Sequence, residues 1–564
     1  MTTPTDTTLP EAEHEAEVAS GPVLIPVLGY RCALKLSHLG VTFLLGLLLV
    51  FHNYLPLRGT DLWGHVLYGR WIAEHRLLPT EDPFLPLAQG MRVVDTAWLS
   101  QLLLAQVDRL GGAEALSNLF AFVVWFTFII FARTFFLQSR SKLVMLIGVA
   151  MTLAVGWSRV TTIRPEIFSL LCLATLFWLL TRRQVRATTD NTDATAADSS
   201  DFTPGVLLWV ALPLLFALWA NLHGTFVGGL LVLGCYTIGR GFDVLLAERS
   251  LKAVFADRAF RSWLVLAEVA TAATLINPYG VDLWIEVARF GFNPVLRDVS
   301  EWMPMVMLGI AGREFVAGCI VLVFALRLSR RPMPARETFM LLVFGLLAMM
   351  QVRMVGWFAP VLSFVLVPHL ANIFARWMPA EVDEAALAAT LPADELPPGR
   401  SFRYTLICAT VAWVMFAFTG IGGWVLGSPA RKEANVLGDT PLAMTKALRE
   451  SPPVGQVYNP QWWGDWLAYS GPADLKLFMT TNMHLIPRQV WNDYRRITAG
   501  ESGFDAALDR YRINTLIVDK QAQPVLAGAA IRLSGWGIRY EDEQSLVMSR
   551  LPKANGAKVA AHSK

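Results

Sequence analysis

Apolar residues in this chain gather into blocks, with the polar residues between them. Eleven blocks approach the ~17–25 residues that a helix needs to cross a bilayer. They lie at roughly 36–55, 114–136, 142–158, 165–181, 205–221, 224–240, 262–277, 314–329, 337–352, 355–374 and 404–426. Each is read as a membrane-spanning helix, and several are short. The polar stretches orient the set, because cytoplasmic loops carry the excess of lysine and arginine. Arg31 and Lys35 precede the first block, Arg140 and Lys142 separate the second from the third, and Arg182, Arg183 and Arg186 follow the fourth. Arg249, Lys252, Arg258 and Arg261 precede the seventh, Arg327, Arg330, Arg331 and Arg336 join the eighth to the ninth, and Arg376, Arg400 and Arg403 precede the eleventh. All fall on one side when the N-terminus is cytoplasmic. An odd number of spans then places the C-terminal region outside.

Composition agrees with a polytopic membrane protein. The chain is 54% hydrophobic and 16% charged, against roughly 25% charged in soluble domains. The net charge is +3, and no basic tract is dense enough for nucleic acid. Cys32, Cys172, Cys235, Cys319 and Cys408 are scattered in or beside apolar blocks without metal-ligand spacing, so neither disulfides nor a zinc site is expected. The start of the chain carries Asp6, Glu11, Glu13, Glu15 and Glu17 and lacks the basic opening of a signal peptide. Residues 1–35 therefore read as a disordered cytoplasmic tail, and the first apolar block as an anchor. Residues 187–204 read as a flexible linker, and 378–402 as an Ala-, Glu- and Pro-rich, partly helical segment. No P-loop, GxSxG elbow, HExxH or Rossmann fingerprint occurs, which argues against a nucleotide-driven pump and a metalloprotease of the usual pattern.

With this orientation the outer face collects most of the candidate chemistry. The first outer loop, 56–113, carries Asp61, His65, Arg70, Glu81, Asp82, Asp95 and Trp98. Asp61 and His65, four apart, share one helix face. Short outer turns add Arg159, Arg164 and Glu166, then Asn221 and His223, then Asn277-Pro278-Tyr279-Gly280, Glu301 with Trp302, and Gln351 with Arg353. Arg159, Arg164 and Arg353 break the charge bias and require a counter-charge. They read either as internal pairs or snorkelling side chains, or as a site for the phosphate of a lipid-linked donor, which arginine suits in charge and shape. Asp61 with His65 reads as a structural pair or as reactive groups. Both types can also ligate a metal, so a divalent ion stays open. A carboxylate at the membrane boundary can act as general base on an acceptor hydroxyl. Trp63, Trp71 and Trp98 are taken as interfacial anchors, Asn277 to Gly280 as a helix-ending turn, and Glu268 as a paired residue inside the bundle.

Asp61-Leu-Trp63-Gly-His65, Gly69-Arg-Trp71-Ile72 and Pro79-Thr-Glu-Asp82-Pro83-Phe84 form an ordered set with Arg164-Pro165-Glu166-Ile-Phe168-Ser169, Leu218-Trp219-Ala-Asn221-Leu-His223-Gly224 and Leu275-Ile-Asn277-Pro278-Tyr279-Gly280. The set resembles a group of bacterial multi-pass proteins related to the GT-C glycosyltransferase superfamily, over most of the chain. That superfamily takes sugar from a polyprenyl-phosphate donor and uses an aspartate in the first outer loop. Carried over, the resemblance gives that role to Asp61, with Asp82 as the second acidic position. Met479-Thr-Thr-Asn482 departs from the more acidic and basic sequence the resemblance leads one to expect there.

Residues 427–564 alternate short apolar runs with helical patterns, which points to a small α/β domain. Its Trp462-Trp463-Gly464-Asp465-Trp466 reads as a ligand-contacting aromatic cluster or as a core or membrane-docking one. The fold class expected is an all-α polytopic membrane bundle of about eleven transmembrane helices (36–426, GT-C-like) with a small extracytoplasmic α/β C-terminal domain. The function expected is an inverting glycosyltransferase of the bacterial inner membrane. It would join a polyprenyl-phosphate-linked sugar donor, membrane lipids and an extracytoplasmic acceptor glycan, lipid or protein. Asp61, Asp82 and His65 would be catalytic. Arg159, Arg164 and Arg353 would bind the donor phosphate, and Glu81, Glu166, Asn221, His223 and Glu301 the substrates. A transporter or flippase of a lipid-linked glycan and a non-catalytic envelope-assembly scaffold are the alternatives. A transporter would favour internal repeats, and no clear repeat is seen.

Overall fold

The computed structural model describes residues 23–27, 30–34, 36–57, 61–190, 203–377, 398–425, 437–438 and 440–552. The linker expected at 187–204 and the segment at 378–402 lie largely outside these residues, as do residues 1–22 and 553–564. The end of the expected N-terminal tail, β1 (Val23–Val27) and β2 (Tyr30–Leu34), pairs as an antiparallel hairpin.

Helices follow in the order α1 (Leu36–Tyr54), α2 (Leu62–His75), α3 (Trp98–Ser139), α4 (Lys142–Val155), α5 (Trp157–Val160), α6 (Glu166–Asp190) and α7 (Val206–Leu222). Then come α8 (Phe226–Glu248), α9 (Leu251–Ala256), α10 (Arg258–Ala273), α11 (Val281–Phe292), α12 (Ile310–Leu328), α13 (Ala335–Met350) and α14 (Val355–Phe374). A helix at Pro398–Phe418 precedes the C-terminal domain. Each of the eleven apolar blocks falls on helix, but the count of spans is corrected. Among the described residues, three helices are long and apolar enough to cross a membrane: Trp98–Ser139, Phe226–Glu248 and Val352–Phe374. Gly40–Tyr54, Lys142–Val155, Val206–Leu222 and Leu406–Phe418 are apolar but shorter. The chain is thus a largely α-helical, multi-pass membrane-associated fold with a small C-terminal β-containing domain.

Local sequence sets the breaks. The Ser141 hydroxyl caps α4 through the Val144 N–H, and Asp257 caps α10 through Phe260 N–H. α3 bends sharply at Gly111 and Gly112, whose backbone leaves helical geometry. Its second limb coincides with the apolar block, and its first limb belongs to the outer loop. Pro360 and Pro368 lie inside α14, which its neighbours enclose almost completely. Such burial is where membrane helices tolerate proline. Glu268 is not the paired bundle residue expected: it is exposed on α10, and no described residue pairs with it.

Charged side chains link the loops at the arginine-rich end. Arg240 pairs with Asp257 at 2.7 Å, and Arg331 with Glu337 at 2.7 Å. At the opposite end lie α2, the turns 156–165, 223–225 and 351–354, and the 274–309 stretch, which includes α11.

The C-terminal domain sits on that opposite end. Its five-stranded sheet runs in the order β4 (Lys476–Leu477), β3 (Gln456–Tyr458), β5 (Ile513–Asp519), β7 (Ser545–Arg550), β6 (Trp536–Glu541). The β3–β4 and β3–β5 pairs are parallel, and β5–β7 and β6–β7 antiparallel. One apolar cluster joins Leu85, Val93 and Leu296 of the outer loops to Phe478, Met479 and Leu485 of the domain. Asp298 fixes the second contact, accepting from Trp491 at 2.9 Å and pairing with Arg488 at 2.9 Å and Arg495 at 3.2 Å. Trp63 is therefore no interfacial anchor. It is buried, with its ring 5.2 Å from Trp466 and 4.7 Å from Tyr469 of the domain.

Candidate functional site

Beneath the C-terminal domain, short turns from four parts of the chain bring six charged side chains together. Arg164 Nε lies 3.2 Å from Asp61 Oδ1, and its Nη1 donates to Glu301 Oε2 at 2.8 Å. Arg159 donates to the same Glu301 oxygen at 2.8 Å and to Glu166 Oε2 at 2.8 Å. Arg353 approaches Glu166 at 3.6 Å and lies over the Trp302 ring, 4.2 Å from its centroid. Trp357 Nε1 donates to the other Glu166 oxygen at 3.0 Å. Three guanidinium groups thus meet three carboxylates. Burial works against ionisation of Glu301, yet Arg164, Arg159 and Arg353 together pull its carboxyl down to about 2.

None of the six is sealed in, since each keeps between 14% and 26% of its side-chain surface accessible. The cluster is thus partly open to solvent. The contact of Arg164 with Asp61 is an ion pair without hydrogen-bond alignment. Asp61 Oδ2 has no partner among the described residues. Arg353 is held most loosely of the three arginines, by one long ion pair and a ring.

Two imidazoles feel the charges of this cluster. His65 Nδ1 lies 3.2 Å from Gln101 Nε2, which donates to Asp95 Oδ1 at 3.0 Å. Burial pushes His65 down, Asp61 raises it and Arg164 lowers it further. Burial pushes Asp95 up to about 6, against the bonds from Ala97 N–H and Gln101. His223, between α7 and α8, holds the Thr225 hydroxyl at 2.8 Å.

Other residues singled out from sequence are placed differently. Asp82 is buried, and its Oδ1 accepts from Phe84 N–H at 2.8 Å and Leu85 N–H at 3.0 Å. Its Oδ2 accepts from Asn482 at 3.3 Å, so Asp82 shapes a turn. Glu81 is exposed and accepts from Gly90 N–H at 3.2 Å. Asn221 ties α7 to α3 and to the turn after α10, accepting from Trp98 Nε1 at 3.0 Å and donating to the Ala217 and Ile276 carbonyls at 2.8 and 2.7 Å. Asn277 to Gly280 is a turn, with Tyr279 N–H on Asn277 Oδ1 at 2.7 Å and Gly280 at φ +54°. Among the described residues no group of three or more His, Cys, Asp or Glu side chains is arranged to hold a metal ion.

Asp465 is the residue that sequence reading missed. It is buried on helix Gln461–Ser470 and faces Gly64 of α2, where an added Cβ would stand 2.3 Å from its Oδ2. Thr481 donates to it through both N–H and hydroxyl. Burial pushes this carboxyl up to about 7, and the neighbouring Asp61 and Asp82 add to the rise. Asn482 Nδ2 reaches Tyr68 Oη at 2.7 Å beside it. The aromatic character of the Trp462–Trp466 run drew attention to its rings, and the acid within it went unweighed.

No family model and no curated protein matches the chain. Among solved structures it is similar to the Archaeoglobus fulgidus oligosaccharyltransferase in its apo form, with 12% identity and a TM-score of 0.46, covering 89% of this chain and 73% of that one. It is also similar to ArnT from Cupriavidus metallidurans bound to undecaprenyl phosphate, with 12% identity and a TM-score of 0.44, covering 91% of this chain and 97% of that one. Neither likeness is close enough to transfer a role to any residue.

Proposed function

We propose that the chain is a membrane glycosyltransferase that takes a sugar from a polyprenyl-phosphate donor and passes it to an acceptor on the outer face. The observation that carries this reading is the partly accessible cluster in which three arginines and three carboxylates meet beside apolar helices. A lipid-linked phosphate needs cationic donors at the membrane boundary and an apolar flank for its tail. In the transfer, the acceptor hydroxyl oxygen forms a bond to the sugar's anomeric carbon. The bond from that carbon to the phosphate oxygen breaks, its electron pair leaving with the phosphate. The hydroxyl proton goes to Asp61 Oδ2. Arg353, the least committed guanidinium, turns to the phosphate, while Arg159 and Arg164 hold the carboxylates in place. The charged cluster and the C-terminal domain face outside, with the N-terminus cytoplasmic. A single cysteine at position 500 in a cysteine-free background should be labelled from outside intact cells. Labelling only after lysis reverses the orientation.

The assay that tests the reading is sugar transfer by the purified protein in detergent from a polyprenyl-phosphate-sugar donor. Arg353→Gln should fold normally and bind donor about ten- to hundredfold more weakly, since a charge-assisted contact is worth ~1.5–3 kcal/mol. Unchanged donor dependence would remove Arg353 from phosphate binding. The even match of three arginines with three carboxylates favours a second reading, a non-catalytic scaffold for envelope assembly in which the cluster only holds loops together. That reading gains if loss of residues 440–552 abolishes cellular function while Asp61→Asn does not.

A further inference from the structure

The link between Trp302 and α12 has the composition of a helix core and the exposure of a loop tip. Residues 303–312 include no charged, hydroxyl or amide side chain. The Gly309 N–H donates to the Val306 carbonyl at 2.9 Å and closes a turn. Val306 is 70% exposed, Leu308 86% and Ile310 67%, and Met303 and Met307 are exposed as well. Turns are ordinarily polar, so a run of exposed apolar residues in one marks a surface that something covers when the protein works. Two backbone bonds fix where this link lies. Met305 N–H donates to the Met349 carbonyl at 3.0 Å, and Val352 N–H to the Met303 carbonyl at 3.1 Å. The link is therefore fastened to the turn that carries Arg353, and it begins just after Glu301 and Trp302.

What covers the turn follows from its neighbour. The turn folds back on the start of α12, where a Cβ on Gly312 would collide with the Val306 carbonyl oxygen and stand 2.6 Å from Met307 Cα. Gly312 shares a helix face with Val316, Ile320, Val323 and Phe324, and these four are exposed. The apolar turn therefore continues an apolar stripe that runs down α12. On a helix of a membrane-associated bundle, such a stripe is covered by lipid hydrocarbon. Arg313, exposed in the same first turn of α12, adds a cation suited to lipid phosphate beside the apolar tip. We propose that the 303–310 link inserts into the lipid leaflet on the side of the charged cluster, and that this anchor holds the backbone from which Glu301 and Arg353 are presented. The inference needs no sugar donor and stands apart from the transferase reading.

Spin labelling of the full-length protein in nanodiscs of phosphatidylcholine and phosphatidylglycerol tests the insertion. A nitroxide on a single cysteine at position 308, in a cysteine-free background, should collide with dissolved oxygen severalfold more than with a water-soluble nickel chelate. A label at position 543, in the exposed turn between β6 and β7, should show the reverse. Nickel collisions at 308 equal to those at 543 put the turn in water and overturn the proposal. Protection of 308 from both reagents means that protein covers it, a second copy or another chain, and overturns it too. Amide exchange in the same nanodiscs reads the anchoring. Leu308→Ser changes an exposed side chain outside the packed helices, so it should fold normally. Exchange at the Met305 and Val352 amides should quicken about tenfold. Val316→Ser, on the α12 stripe but outside the link, should leave both amides as in the wild type. Unchanged exchange in Leu308→Ser, or equal acceleration in Val316→Ser, overturns the anchoring of the cluster segments.

Discussion

Asp61→Asn should insert and fold like the wild type while its sugar-transfer rate falls about 10²–10⁴-fold, the range that general-base catalysis supplies. Asparagine keeps the shape of the side chain and an oxygen for Arg164, so the 3.2 Å contact loses charge without losing its place. What disappears is the accessible carboxylate oxygen. Other carboxylates nearby are poorly placed to replace it. Glu166 accepts from Arg159 and Trp357, Glu301 from Arg159 and Arg164, and Asp82 from two backbone amides and Asn482. Asp465 is the nearest competitor, being buried beside Gly64 without an arginine or lysine partner among the described residues. His65→Gln should be milder, since that ring is held by Gln101 to the side of the charged cluster. Turnover is measured with purified variants in detergent and a polyprenyl-phosphate-sugar donor, with and without chelator. Wild-type turnover by Asp61→Asn takes this residue out of the mechanism and puts Asp465→Asn next in line.

Gly69→Ala should be the most damaging small substitution in the first outer loop. An added Cβ would stand 2.0 Å from the Gln101 carbonyl oxygen, 2.4 Å from its carbon and 2.8 Å from Ala105 Cβ. Two of these atoms are helix backbone, which cannot turn aside as a side chain can. α2 must lift from α3, and overpacking of this kind costs ~1–3 kcal/mol, occasionally more. The lift also disturbs Gln101, which holds both His65 and Asp95, and it tilts the helix that Asp61 opens. A lower unfolding temperature in detergent and a loss of transfer activity should therefore appear together. Gly234→Ala is the control, because that helical glycine has nothing within 4 Å of an added Cβ and alanine is the better helix former. Equal stability of Gly69→Ala and wild type would mean that α2 and α3 are not packed as closely as described.

Much of the architecture was legible because it depends on local pattern. The apolar blocks located the helices, although α6 and α8 continue well past the ends of theirs, since a helix in an apolar surrounding needs only a continuous run of side chains that cost nothing to bury. The alternation of short apolar runs and helical patterns after residue 427 likewise pointed to a mixed α/β domain, because strand and helix periodicity is a local property. Span length was less legible. Hydropathy does not reveal where a capping serine, a glycine pair or an arginine turn ends a helix, so eleven blocks yielded, among the described residues, three helices that meet the length and apolarity of a crossing. Arg159, Arg164 and Arg353 were conspicuous because they break the charge bias of the loops, and that anomaly alone required counter-charges. Which carboxylates would answer them could not be read locally. Arg159 and Arg164 share Glu301, more than 130 positions further on, and Arg164 also meets Asp61, about a hundred positions back.

The sequence by itself determined a membrane-associated chain of apolar helices with a polar stretch after the first of them, arginines in short turns between helices, and a small C-terminal domain with strands. Those properties follow from transfer free energies and backbone periodicity, which act residue by residue. Tertiary structure alone decided that Asp82, Glu81 and Asn221 are occupied in turns and ties, that Trp63 is core, and that Asp465 reaches Gly64 from the far end of the chain. Each of these outcomes depends on which groups the packing of distant helices brings within 3 Å. A charge or a hydrogen-bonding atom has no fixed role until its partner is in place.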